Sequence, residues 1–216
     1  LGKEADVIIA TSPQFFTTFA AFGLSTIKSK PWIFELRDLW PESIKTVGAT
    51  NNDWLIKILE RIELFLYRKS TMVIALTDAF RKNLIKRGID GNKIRVVTNG
   101  SNLELFTPRE KDAHIIETFG LKDKFVVSYI GTHGMAHGLE FIVNALDKIN
   151  ADDIHFLFIG DGARKADIVR LAANKGLRNI TFLNPVSKDK VPDFMSVSDV
   201  ALIPLRKSET FKTVIP

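Results

Sequence analysis

The sequence predicts an α/β protein made of two successive parallel-sheet domains. Short β-branched runs alternate with helix-like segments along the whole chain. The alternation pauses once, at Leu103–Asp123, which sets domains at residues 1–107 and 108–216. Several runs are continuously apolar, as strands covered on both faces are.

The strands expected in the first domain are Val7–Ala10, Trp32–Leu36, Met72–Leu76 and Ile94–Val97. Those of the second are Phe125–Ile130, Ile154–Ile159, Ile180–Leu183 and Val200–Ile203. Helices fall between them near 14–27, 52–69, 79–87, 139–149, 163–175 and 188–197. This alternation implies parallel sheets with right-handed crossovers. The pause holds Pro108 and the charged group Arg109, Glu110, Lys111 and Asp112, with a short helix near 111–119. Asp53–Ser70 is apolar on most of its circumference, which points to a buried helix, with membrane-surface docking as the sharper alternative. No repeat at a fixed period and no low-complexity tract is evident.

The composition is that of a globular protein with ample core material: 216 residues, 45% hydrophobic and 25% charged. The absence of cysteine excludes disulfides and thiolate metal sites, and four histidines are a thin supply for a metal. A cytoplasmic setting is expected. Net charge is +5, and the excess sits in the first half, where residues 1–108 carry 15 Lys and Arg against 11 Asp and Glu. That bias suits phosphorylated substrates or an anionic membrane surface, and equally a solvated face. Nucleic acid is not expected as a partner, because no aromatic-basic strand platform is present. No apolar run reaches the roughly 18 residues that cross a bilayer. The chain opens on Leu1 almost directly into a strand and stops at Pro216 in mid-pattern, so both domains read as truncated.

Four segments carry candidate chemistry. Val96–Pro108 (VVTNGSNLELFTP) is a strand running into Asn99-Gly100, where positive backbone angles would turn the chain sharply. Ser128–Gly138 (SYIGTHGMAHG) ends a strand in Gly131, Thr132, His133 and Gly134, then passes through His137 and Gly138 into a helix. Glycines admit a phosphate close to the backbone, and a helix amino terminus favours negative charge. The spacing does not fit GxGxxG, and an ordinary glycine turn explains the loop equally well. Phe156–Lys165 (FLFIGDGARK) repeats the device with Gly160, Asp161 and Gly162, adding Arg164 and Lys165, cations suited to charge on a leaving diphosphate or simply a solvated pair. Trp32–Ser43 (WIFELRDLWPES) sets Arg37 and Asp38 at a strand exit, either a local ion pair or cleft residues. Ser12 leaves the first strand on the same edge.

In this order, and followed by ITFLNPVSKDKVPDFMSVSDVALIPL, these segments resemble the GT-B glycosyltransferases, specifically the large retaining family 4. Within it the chain looks like bacterial enzymes of O-antigen, capsule or colanic acid-type synthesis, including the fucosamine-transferring subgroup, whose form RDLWPES resembles. The resemblance implies two Rossmann-like domains across a cleft. The second would bind a nucleotide-diphosphate sugar and the first an acceptor, often a lipid-linked sugar at the cytoplasmic membrane face. It implies transfer with retention, without metal or other cofactor. Gly131–Gly134 and Gly160–Gly162 would match the two donor loops, and Asn184, Pro185 and Val186 would meet the base.

The chain departs from the family where it matters for charge. The family often has an arginine after the first loop glycine and a lysine before the helix; here Thr132 and His137 stand there. His133, His137 or Arg164 would then substitute. Arg37 stands where many relatives carry a histidine, and an arginine is always charged. The family's carboxylate-rich motif would begin beyond Pro216, and its first strands and glycine loop would precede Leu1. A nucleotide-sugar epimerase of the same fold, and a non-catalytic nucleotide-sugar binding protein, remain alternatives.

Overall fold

The computed structural model describes residues 4–39, 52–146, 148–149, 152–208 and 211. All eight expected strands form. Those of the first sheet are β1 (Ile8–Ser12), β2 (Trp32–Leu36), β3 (Met72–Ala75) and β4 (Ile94–Val96). Those of the second are β5 (Phe125–Ile130), β6 (Ile154–Ile159), β7 (Ile180–Leu183) and β8 (Val200–Ala201). The described helices are α1 (Phe15–Lys28), α2 (Asp53–Lys69), α3 (Asp78–Lys86), α4 (Ala113–Thr118), α5 (Leu139–Leu146), α6 (Lys165–Asn174) and α7 (Val191–Ser196). Of the segment RDLWPES, Trp40–Ser43 lies outside the described residues.

Two compact units result, one of Leu1–Gly100 with Lys207–Pro216, the other of Ser101–Arg206. The sequence-expected border at 107/108 falls inside the second unit. Residues 109–112 are tied into that unit by Arg109 to Asp193 (2.7 Å), Lys111 to Asp199 (2.6 Å), and the Asp112 N–H donating to Ser196 Oγ (3.1 Å).

The first sheet runs β1-β2-β3-β4, all parallel, with Ile33 opposite Met72 and Val73 opposite Ile94. Right-handed crossovers that all step the same way lay their helices on one face. Burial follows: Trp32, Phe34 and Leu36 are buried with Val73 and Ala75 under Leu66, Tyr67, Phe80 and Leu84, whereas Ile33 and Glu35 are only half-buried. Covering on both faces, expected for several of the strands, therefore does not hold for the first sheet among the described residues.

The second sheet is ordered β7-β6-β5-β8, also parallel. Two crossovers step one way and the third returns past β5, so α7 lies on the opposite face from α5 and α6. Alternation along the central strands matches. Val127, Tyr129, Phe156 and Phe158 pack with Leu139, Val143 and Ile168. Val126, Leu157 and Ile159 pack with Ile115, Leu121 and Val197.

Helix α2 departs from expectation. Asn52 caps it, its side-chain oxygen accepting from the N–H groups of Trp54 and Leu55. Glu63, Leu66 and Tyr67 are buried, but Trp54 is 72% exposed and Leu55 and Phe65 also reach solvent. A helix on a one-sided layer has only its inner stripe to bury, whatever the rest carries.

That inner stripe holds a buried ionic group. Glu63 Oε1 accepts from Tyr67 Oη (2.6 Å) and Oε2 from Arg87 Nη2 (2.9 Å); Arg87 also reaches Glu60 (3.2 Å). Burial works to lower the Arg87 pKa, but Glu63, Tyr67 and Glu60 together hold it above its ordinary value. Removing one partner of a buried pair leaves the other charge uncompensated. Arg87→Ala is expected to cost about 3–5 kcal/mol in urea unfolding. Arg87→Met combined with Glu63→Leu is expected to cost clearly less; an Arg87→Ala variant with an unchanged midpoint would refute the assignment.

Candidate functional site

The site is built from two strand exits in the second unit. Past β5, the Gly131 N–H donates to the Ile159 carbonyl (2.9 Å) and extends the β5–β6 ladder by one residue. Tyr129 Oη donates to the Thr132 carbonyl (2.7 Å), and burial pushes its pKa up to about 12, so the donor proton is retained. The His133 N–H donates to the Asp161 carbonyl (2.8 Å), and the Arg164 N–H returns a bond to the His133 carbonyl (2.9 Å). The Asp161 carboxylate accepts from the Gly162 N–H (2.8 Å). Loops 131–134 and 160–164 are therefore stitched to each other through their backbones.

That approach demands glycine at two positions. A Cβ at Gly160 (φ +145°) would sit 1.9 Å from the Gly131 carbonyl oxygen, and one at Gly162 (φ +154°) 2.6 Å from the His133 oxygen. Between the loops lies a hollow of about 360 Å³, lined by Gly131, Thr132, Gly160, Asp161, Pro185 and Val186 together with Ile130, Ile159 and Val191. The two glycine exits and the Asn184–Val186 segment thus converge as the sequence indicates. Lys165 Nζ donates to the carbonyls of Gly160 (2.8 Å) and Leu183 (2.9 Å) and to Asn184 Oδ1 (2.8 Å). It holds the β6 and β7 exits together, and its charge is committed to that task.

The candidate cations divide. His133 has no exposed surface; its ring lies on Tyr129 and Phe158, and neither ring nitrogen has a protein partner. Burial, then the charges of Lys165 and His137, lower its pKa despite Asp161. Burial also lowers that of His137. Both are neutral at pH 7, so neither supplies the positive charge sought at the usual Arg and Lys positions, and His133 packs beneath the loop rather than on it. Arg164 ion-pairs with Asp167 (3.0 Å).

Gly134 and Gly138 flank the turn into α5, with Gly138 at φ +59°. Sequence reasoning missed Arg206, after β8. Its N–H donates to the Ala136 carbonyl (2.8 Å) and its guanidinium ion-pairs with Glu140 in the first turn of α5. The signal for it was the return of β8 beside β5, which strand periodicity alone does not show.

In the first unit, Ser12, Arg37, Asp38, Asn99 and Gly100 follow the carboxyl ends of β1, β2 and β4, on one edge of the sheet. Arg37 Nη2 donates to Asn99 Oδ1 (3.3 Å). Ser12 is buried and its Oγ has no protein partner. Burial raises the Asp38 pKa against the opposing charge of Arg37. The turn expected at Asn99-Gly100 is not there: neither residue has positive φ. The chain turns at Asn102 instead, whose Oδ1 accepts from the N–H groups of Glu104 (2.9 Å) and Leu105 (3.2 Å). Among the described residues no cluster of three or more metal-ligating side chains occurs, and no helix is long and apolar enough to cross a membrane.

Residues 1–100 match the family described as glycosyl transferase 4-like domain, and residues 124–216 that described as glycosyl transferases group 1. Each half of the chain thus matches a glycosyltransferase domain model, and the fold is that of GT-B glycosyltransferase structures. It is similar to the sulfoquinovosyl transferase SQD2 of Arabidopsis thaliana, 27% identical over 98% of this chain and 40% of that protein. It is similar to WcaI of Escherichia coli (strain K12), a glycosyl transferase assigned to colanic acid biosynthesis, 26% identical over 99% of this chain and 54% of that one. The crystal structure of Anabaena HepE in complex with UDP and glucose shares the fold, with a TM-score of 0.73 at 18% identity over 91% of this chain and 52% of that one. The chain spans about half the length, or less, of these curated relatives.

Gly160→Ala is expected to destabilise the chain by roughly 3 kcal/mol or more, read from the urea midpoint, because the clash is with backbone and cannot be relieved by a side-chain rotation. The histidines give a pH dependence of definite sign. His133, His137 and His155 have pKa values lowered from 6.5 in the folded chain. The unfolded chain then binds protons first, so stability is full above about pH 6.5 and falls as pH drops below it. The urea midpoint should fall between pH 7.5 and 5.5, and His133→Phe should reduce the fall.

Proposed function

We propose that the protein moves a sugar from a nucleotide-diphosphate donor to a glycan acceptor, carried on a lipid, in bacterial surface polysaccharide synthesis, with retention of anomeric configuration. The observation that carries this reading is the pair of glycine exits stitched over one hollow of about 360 Å³. Backbone there is bare enough for a ligand to lie against it, and the loop that starts at Gly131 leads into the amino end of α5, which favours negative charge. In this reading Gly131, Thr132, Gly134, His137 and Gly138, with Gly160, Asp161 and Gly162, hold the diphosphate and the sugar. Asn184, Pro185 and Val186 receive the base. Arg164 contributes charge where the diphosphate departs.

The edge of the first sheet, with Ser12, Arg37, Asp38, Asn99 and Gly100, receives the acceptor. Arg37 stays charged and orients hydroxyls; Asp38 accepts a hydrogen bond from the attacking hydroxyl. Rate then comes from holding two reactants in register and from offsetting charge on the leaving group. The basic excess of the first half suits docking at the anionic inner face of the cell membrane.

The test is calorimetric titration with UDP, GDP, ADP and dTDP, followed by incubation of the matching nucleotide sugars with lipid-linked glycan acceptors. One diphosphate is expected to bind in the range of roughly 1 μM to 1 mM usual for enzyme substrates. NMR of the product should show the anomeric configuration of the donor. Binding of none of the four would overturn the reading. An epimerised donor with no acceptor consumed, or binding without any turnover, would replace it by epimerisation or by simple nucleotide-sugar binding.

A further inference from the structure

In the second sheet the strand order reverses at β5, with β6 on one side and β8 on the other. Where neighbouring strands send their chains to opposite faces, the exits part and leave a crevice at the carboxyl edge. Here the segments that meet at that edge are the 131–138 loop after β5 and the 202–206 segment after β8. The second segment is fixed to β5 and its loop by two backbone bonds, Leu202 N–H to the Ser128 carbonyl (2.7 Å) and Arg206 N–H to the Ala136 carbonyl (2.8 Å).

Arg206 is therefore held beside the 131–138 loop by main-chain bonds. Its stem lies along Gly138, where an added Cβ would come within 3.2 Å of Cγ. Its Nη2 meets Glu140, and the side chain remains 44% exposed, with donors beyond that one bond available to a ligand. Burial raises the Glu140 pKa, but its own N–H, the bond and charge of Arg206, and the charge of Arg164 bring it below the ordinary carboxylate range. Arg206 and Arg164 both act on Glu140, while Arg164 is also paired with Asp167. His133 and His137, the titratable groups of the 131–138 loop, have pKa values lowered by burial.

We infer that Arg206 is the cation that binds the donor's diphosphate, supplying from the β8 exit the charge that Thr132 and His137 do not supply from the β5 loop, with Glu140 as the residue that positions it. This rests on the donor-binding reading above. A planar guanidinium already oriented by one carboxylate presents its free edge to phosphoryl oxygens at little further cost in side-chain entropy.

The experiment compares the nucleoside diphosphate that binds best among UDP, GDP, ADP and dTDP with its own nucleoside, by calorimetry on wild type, Arg206→Met and Arg206→Lys. Methionine keeps the stem against Gly138 and so guards the fold, which circular dichroism and the urea midpoint monitor. Arg206→Met is expected to weaken the diphosphate roughly ten- to hundredfold, as for a lost charge-assisted hydrogen bond, with the nucleoside changed less than about twofold. Arg206→Lys should recover part of the loss. If wild type binds a diphosphate and Arg206→Met binds it equally well, or loses diphosphate and nucleoside alike, the assignment of Arg206 falls while the donor-binding reading stands. If wild type binds none of the four, the donor-binding reading itself falls, and this inference with it.

Discussion

The carbonyl oxygen of Gly131 occupies the space that a Cβ at position 160 would need, 1.9 Å away. This backbone-on-backbone approach sets the geometry of the second unit's carboxyl edge. It lets the exits of β5 and β6 lean together, so that His133 and Asp161, and His133 and Arg164, bond through the main chain. Side chains then do secondary work: Tyr129 pins Thr132, and Lys165 ties the β6 exit to β7 and Asn184. The hollow beside these exits combines bare backbone at Gly131 and Gly160 with the apolar side chains of Ile130, Ile159, Val186 and Val191.

Crossover handedness explains the contrast between the sheets. With a fixed hand, strand order decides which face each helix covers. A monotonic order gives the first unit one covered face and leaves Ile9 largely exposed on its edge strand. The reversed order gives the second unit two covered faces and, at the reversal, brings β8 beside β5.

Much of this was legible in the residues. The β-branched runs marked all eight strands, because their side chains must fill a pleated, covered surface. The glycines of FIGDG and YIGTHG marked the two exits that converge. What failed depended on partners distant in sequence. Asn99-Gly100 has the composition of a tight turn, yet Arg37 engages Asn99 and the bend falls at Asn102. The apolar circumference of α2 gave no hint that its layer is one-sided. His133 and His137 read as substitutes for missing cations, yet burial lowers the pKa of both. Arg206 was passed over because only strand order brings it to α5.

The charge at the amino end of α5 has a further property. His133 and His137 are neutral, Lys165 is occupied by three oxygens, and the cations left at this end are the guanidinium groups of Arg164 and Arg206. Guanidinium does not lose its proton at any pH a cell reaches. The positive charge that these two side chains bring to the rim is accordingly permanent, whatever the acidity of the surroundings.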